Sequence, residues 1–421
     1  MVGCSGATSQ SRFGSRAWAF LAAVLTACAG PKGTGPVAGD DSAATGDTAS
    51  DGFVPFAVPL AGCSWHHTAA AVVGDAVQQV AIDSGSTTLA VSAVGCTTCE
   101  DAGVLALYDP THGTDEGESA AGMYASGSGW SGEVYGDTVA LSGIAPAALH
   151  FAAVSRSDMF GPSSCDADPI GSPSAVDGII GLAPDVWLVP GTDSYVSTLA
   201  ADGTIPDAFA LRLCHVGGTL WLGGYDGAET TGGMTYAPIA SGGLFDGAYQ
   251  VSVYGFELLA EDGTSVAVAA SQTGSALPAL LDSGGPSLIV PDSAYVPLIA
   301  AISGDPAFAE IGDATWWAYG TPTVLSIPPT EFDTKLPRFI VHLAGGEGMT
   351  LSMPASESYL SAYANADGTY TYSPNLYSDA LFHLEDYADV IDLGNLPMYS
   401  YVVYTDRANQ QIGFAPAIPC P

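Results

Sequence analysis

Residues 80–91 read Val-Ala-Ile-Asp83-Ser84-Gly85-Ser86-Thr-Thr-Leu-Ala-Val, and residues 279–290 read Ala-Leu-Leu-Asp282-Ser283-Gly284-Gly285-Pro-Ser-Leu-Ile-Val. In each copy an apolar, strand-forming run ends on an acid, a tight Asp-Ser-Gly turn follows, and a second apolar run leaves it. A carboxylate at the end of a buried strand is costly unless something stabilises it, so its repetition points to a shared use. A weaker echo follows each copy, Ile179-Ile180-Gly181 in the first half and Asp392-Leu393-Gly394 in the second. Two similar lobes, each presenting one acid on a turn, account for both repetitions. Two carboxyl groups held close cannot both ionise readily. One keeps its proton while the other serves as a base, and together they activate water and protonate an amide. Asp83 and Asp282 are therefore the candidate catalytic pair.

Composition agrees with a folded, mostly β chain. With 421 residues, 48% of them hydrophobic, it is long enough for a substantial core and two or three domains. Gly (52) and Pro (28) punctuate short runs rich in Val, Thr, Tyr and Phe. Helical periodicity is almost absent, the best stretches lying near 193–201 and 291–303. Asp and Glu number 44 against 8 Lys and Arg, for a net charge of −36. Nucleic acid and anionic membrane surfaces are poor partners for such a surface. The excess serves solubility, and it also suits acid, where partial protonation relieves self-repulsion.

At the amino terminus, Arg12 and Arg16 precede an apolar run from Ala17 to Ala27, too short to span a bilayer and shaped like a signal-peptide core. The run ends Leu25-Thr26-Ala27-Cys28, which resembles a bacterial lipobox and marks Cys28 for lipidation. Residues 1–27 are then a leader, and 28–55 the lipidated Cys and a flexible tether poor in large apolar side chains. The expected location is the cell envelope, at the outer membrane or cell surface, with membrane contact through the lipid alone. Export leads to an oxidising compartment in which Cys63, Cys96, Cys99, Cys165, Cys214 and Cys420 can form disulfides, their pairing left open by sequence. Cys96-x-x-Cys99 lacks the second half of a zinc pattern. His66 and His67, adjacent on a strand, point to opposite faces. No metal or organic cofactor is implied.

Beyond the two Asp-Ser-Gly turns, DGIIGLAP (177–184), LWLGGYD (220–226), DGAYQVSVYGFEL (246–258) and TDRANQQIGFAP (405–416) occur in the order and spacing of the pepsin-like aspartic proteases. The chain resembles that family from about residue 65 to 420. The resemblance implies an all-β, bilobal double-barrel fold with lobes 56–238 and 239–421. It implies an aspartic endopeptidase, most active in acid, that takes an extended peptide as a monomer. Tyr124-Ala125-Ser126-Gly127-Ser128, followed by Gly136-Asp137-Thr138-Val139, is similar to the flap that closes over substrate. Tyr124 then takes the place of the flap tyrosine, with Ser126 beside it. Ser84 and Ser283 stand where hydroxyls cross-brace the active-site loops, Gly85 and Gly284 complete the turns, and Ser86 is expected to hydrogen-bond Asp83. FALRLC (209–214) and IGFAPAIPC (412–420) are similar to membrane-tethered relatives that pair the two cysteines, which implies Cys214–Cys420 and leaves Cys96–Cys99 and Cys63–Cys165.

Several positions depart from the family. Ala90 stands where many relatives carry a Trp that supports the flap Tyr, and Gly285 replaces a hydroxyl residue, with Ser287 displaced by Pro286. Asp392 replaces an apolar residue. These changes leave open a non-catalytic relative that binds peptides or glycans in the cleft. Asp282-Ser283-Gly284-Gly285-Pro286 also resembles the nucleophile turn of chymotrypsin-like proteases. The rest of that family's pattern is missing, since Leu281 stands for a Gly and His66-His67-Thr68-Ala69-Ala70 has the wrong order.

Overall fold

The computed structural model describes residues 52–420, apart from 64–65, 105, 125–126, 163–174, 346–347, 366 and 383–388. The leader, Cys28, most of the tether, Ser126 and Cys165 lie outside the described residues.

The fold is mostly β and bilobal, built around two near-copies of one crossing. In the first lobe the strand Ala76–Asp83 delivers Asp83, and the chain returns as Leu89–Ser92. Between these two strands lies Gly178–Gly181, parallel to the first and antiparallel to the second. In the second lobe Ile391–Asp392 sits in the same way between Leu277–Leu280 and Leu288–Val290. The registers match residue for residue. Ile179 pairs with Ala81 and Ala90, two before and seven after Asp83. Asp392 pairs with Leu280 and Ile289, two before and seven after Asp282. The echo in sequence is thus a pseudo-symmetric crossing in space.

That crossing needs glycine where backbones touch. A Cβ on Gly181 would lie 2.3 Å from the Thr87 carbonyl carbon, and one on Gly394, at φ +57°, would lie 2.5 Å from the Gly285 oxygen.

The lobes share a platform in which both halves of the chain alternate. Its strands run Thr235–Pro238, Gln411–Pro416, Tyr401–Asp406, Ala208–Leu213, Val216–Leu222 and Phe56–Cys63, continuous with the first-lobe sheet. Ala208–Leu213 is buried at every position, as its apolar run, broken only by Arg212, anticipates. Its one cation, Arg212, pairs with Glu229 and donates to the Ile418 carbonyl (2.6 Å), fastening the chain end. The Cys214–Cys420 disulfide closes the same junction across a sequence separation of 206.

Cys96 and Cys99 are also joined, across a short helix Thr97–Asp101 whose first turn the Cys96 sulfur caps. Cys63 is disulfide-bonded as well. The anticipated helices appear as Tyr195–Ala201, capped by Ser194, and Asp292–Gly304. Ala314–Tyr319 and Pro329–Lys335, one capped by Asp313 and both under two turns, left no period to read. At the other end, packing begins a few residues before the first strand. Phe53 already packs edge-on against Phe56 and over Gly223, and Pro55 lies over Gly224.

Candidate active site

Asp83 and Asp282 are brought together where the two crossings face each other, and both are buried, 1% and 0% exposed. Four hydrogen bonds lock the turns. The Ser84 N–H donates to Ser283 Oγ (2.8 Å) and the Ser283 N–H to Ser84 Oγ (2.8 Å). Each hydroxyl in turn donates across the interface, Ser84 to the Leu281 carbonyl (2.8 Å) and Ser283 to that of Ile82 (2.9 Å). The serine-nucleophile alternative fails at this point, because the Ser283 proton is committed to a backbone oxygen and no histidine among the described residues accepts it.

Each of the two carboxyls is held by the glycine of its own turn. The Gly85 N–H donates to Asp83 Oδ1 (2.8 Å) and the Gly284 N–H to Asp282 Oδ1 (2.9 Å). The other oxygens, Asp83 Oδ2 and Asp282 Oδ2, are buried without a donor. Close approach explains why both turns carry glycine. A Cβ on Gly85 would fall 2.6 Å from the Asp282 carboxyl, and one on Gly284 would fall 2.7 Å from Asp83 Oδ1. Burial first, then the Asp83 charge, then that of Asp392, raise the Asp282 carboxyl well above its usual range, with a hydrogen bond between the two aspartates adding to the rise.

Tyr124 stands at the tip of the hairpin formed by Thr114–Met123 and Gly129–Leu141, where its N–H donates to the Ser128 carbonyl. Its side chain is buried and lines a cavity with Asp83, Ile179, Ser283 and Gly284. The support missing at Ala90 comes from elsewhere. Trp130, on the returning flap strand, donates its indole N–H to the Tyr124 hydroxyl (3.0 Å), and its ring lies 2.7 Å from where a Cβ on Gly122 would stand. Ala90 packs in the same cluster.

One expectation needs correction, and the gap at Gly285 is not filled. Ser86 does not bond Asp83: its hydroxyl and Asp83 Oδ2 are both buried without that contact, and its polar neighbour is the Tyr124 hydroxyl. Ser287 does not replace the hydroxyl lost at Gly285, so the Asp282 side chain is held by the Gly284 N–H alone on its own loop.

Sequence reading also missed residues around the cavity. His66 and His67 both line it, because the strand begins at His66 and alternation is not yet established there. Burial lowers both to about 4, and the buried His67 reaches the Cys214 carbonyl at 2.8 Å. Both rings are therefore neutral above about pH 4.

A family model described as eukaryotic aspartyl protease matches residues 69–417. A curated aspartic protease of Phaffia rhodozyma is 31% identical over 252 residues, covering 58% of this chain and 55% of that protein. The chain thus matches about half the length of this relative.

Proposed function

Because the chain belongs to the eukaryotic aspartyl protease family, we propose that it is an endopeptidase that hydrolyses peptide bonds through Asp83 and Asp282, with an optimum in acid. The observation that carries this reading is the reciprocal Ser84–Ser283 brace, which holds two buried carboxyls against each other. In the singly protonated pair, the ionised carboxylate takes a proton from a water while the protonated one donates to the scissile carbonyl. The water oxygen bonds to the carbonyl carbon to give a gem-diol, which collapses as one of its hydroxyls returns a proton to the pair, the pair passes a proton to the amide nitrogen and the C–N bond breaks, leaving acid, amine and a singly protonated pair. Substrate lies extended beneath the flap, adding its backbone to the sheet edge, and Tyr124 excludes water above it.

Hydrolysis of denatured casein or haemoglobin measured across pH, with and without a statine-type inhibitor, tests this reading. Inhibitor-sensitive turnover that peaks in acid supports it. Ligand retention with no turnover at any pH would favour a binding-only relative, a reading that the hydroxyl missing at Gly285 motivates. A monomer tethered to the cell envelope through Cys28 completes the proposal, supported by the Leu25-Thr26-Ala27-Cys28 motif. Cys28→Ser should then release the protein from membranes, and wild-type protein free of lipid would refute the anchor.

A further inference from the structure

A third Asp-x-Gly turn is built like the catalytic two. The Gly394 N–H donates to Asp392 Oδ1 (2.8 Å), as Gly85 serves Asp83 and Gly284 serves Asp282. Asp392 Oδ2, like the outer oxygens of the pair, is buried without a partner, and the side chain is 0% exposed. Its place is fixed by the pseudo-symmetric register. Ile179, its counterpart, lines the cavity beside Asp83 and Tyr124, so Asp392 occupies the matching position beside Asp282. The Gly394 carbonyl accepts the Asp282 N–H (3.3 Å), which ties the two loops together.

We propose that Asp392 is a positioning residue that forms a three-carboxyl cluster with Asp83 and Asp282 and keeps the shared proton on the catalytic pair as pH approaches neutrality. This rests on the aspartic-dyad reading and deepens it. The titratable groups around Asp392 are Asp282 on the neighbouring strand end and Asp83 on the facing loop, with Tyr124, His66 and His67 around the cavity beyond it. Asp389 and Asp379 lie just before it, Asp379 accepting the Val390 N–H. No cation contributes to the electrostatics of Asp282 or Asp392 among the described residues. Three buried carboxyls without a cation hold about one negative charge between them.

In acid, two protons are present, one shared by the pair and one on Asp392. Burial, followed by the charge of Asp83, raises Asp392 to about 7, so its ionisation comes late. Once ionised, it repels a second charge on the pair and delays loss of the shared proton. The low-pH limb of activity, where the first proton leaves the cluster, meets a neutral Asp392 and is unaffected.

The test compares wild type with Asp392→Asn and with Asp392→Ile, the residue of the first lobe. The alkaline midpoint of kcat/KM should fall by roughly one pH unit in both variants, with the acid midpoint unmoved. Carboxyl 13C titration by NMR supplies a readout independent of turnover. The Asp392 resonance should titrate far above the usual carboxylate range, and the upper step of the pair should move down in both variants. An unmoved alkaline midpoint in a folded variant, or an Asp392 that titrates in the ordinary range, overturns the proposal. Absence of turnover in wild type would count against the protease reading, while the 13C titration would still decide whether Asp392 is coupled to the pair.

Discussion

At the residue scale, the site depends on groups that have no substitute within reach. On the proposed shared-proton dyad, Asp83→Asn and Asp282→Asn should each lower kcat by about a thousandfold or more while the circular dichroism stays unchanged. Retained turnover in Asp83→Asn would sink the dyad. Trp130 poses a finer question. Trp130→Phe keeps most of the bulk over Gly122 but removes the indole donor to the Tyr124 hydroxyl, and a buried hydrogen bond of this kind is worth about 1 kcal/mol. A fall of roughly fivefold to tenfold in kcat/KM is expected, with little change in melting temperature; equal activity would mean that packing alone holds the flap. The two aspartates were legible because the turn repeats in sequence, whereas the bracing role of Ser84 and Ser283 came with the family resemblance. Trp130 was not, because its role arises from cross-strand pairing with Gly122, and an aromatic on a strand reads first as core. Asp392 was visible as an anomaly, yet its meaning needed the register that sets it opposite Ile179.

Elements show the same division between local and distant information. The strands flanking each acid, the two longer helices and the echoing crossing follow from periodicity, turn residues and repetition, all of which are local signals. The platform is different. Tyr401–Asp406 pairs with Ala208–Leu213, strands on opposite sides of the second lobe, and nothing local in either run names its partner. What sequence offered there was a resemblance that joined Cys214 to Cys420, and the disulfide lies where the chain end meets that sheet, beside Arg212 and Ile418. Replacing both cysteines with serine should therefore loosen the platform rather than the dyad. A loss of about 2–5 kcal/mol is expected in chemical denaturation, while the pH midpoints of turnover stay in place. A displaced pH profile in the double variant would show that the chain end is coupled to the carboxyl pair.

For the molecule as a whole, stability and pH are linked through two populations of acids with opposite signs. Asp392, Asp282, Asp333 and Asp379 are raised, in each case by burial first. The folded state of such a group binds a proton more tightly than the unfolded chain does. Its contribution is fully present below the usual value of 3.8 and is lost as pH rises, for Asp392 over the window from 3.8 to about 7. Asp262, Asp313 and Asp367 behave in the opposite way. They are exposed, lowered by bonds from the threonine two residues on, and their support is lost as pH falls below 3.8. Net charge adds to the first trend, since 44 acids against 8 cations repel one another most at neutrality. Stability to urea should therefore peak near pH 4 to 5, decline toward pH 7.5, and fall again in stronger acid. Added salt should recover part of the loss at pH 7.5 by screening surface repulsion, and Asp392→Asn should flatten the decline because an amide has no proton to lose. A urea midpoint that climbs steadily from pH 4 to 7.5 in wild type would contradict the account, since it would require the buried carboxyls to be ionised in the native state without cost.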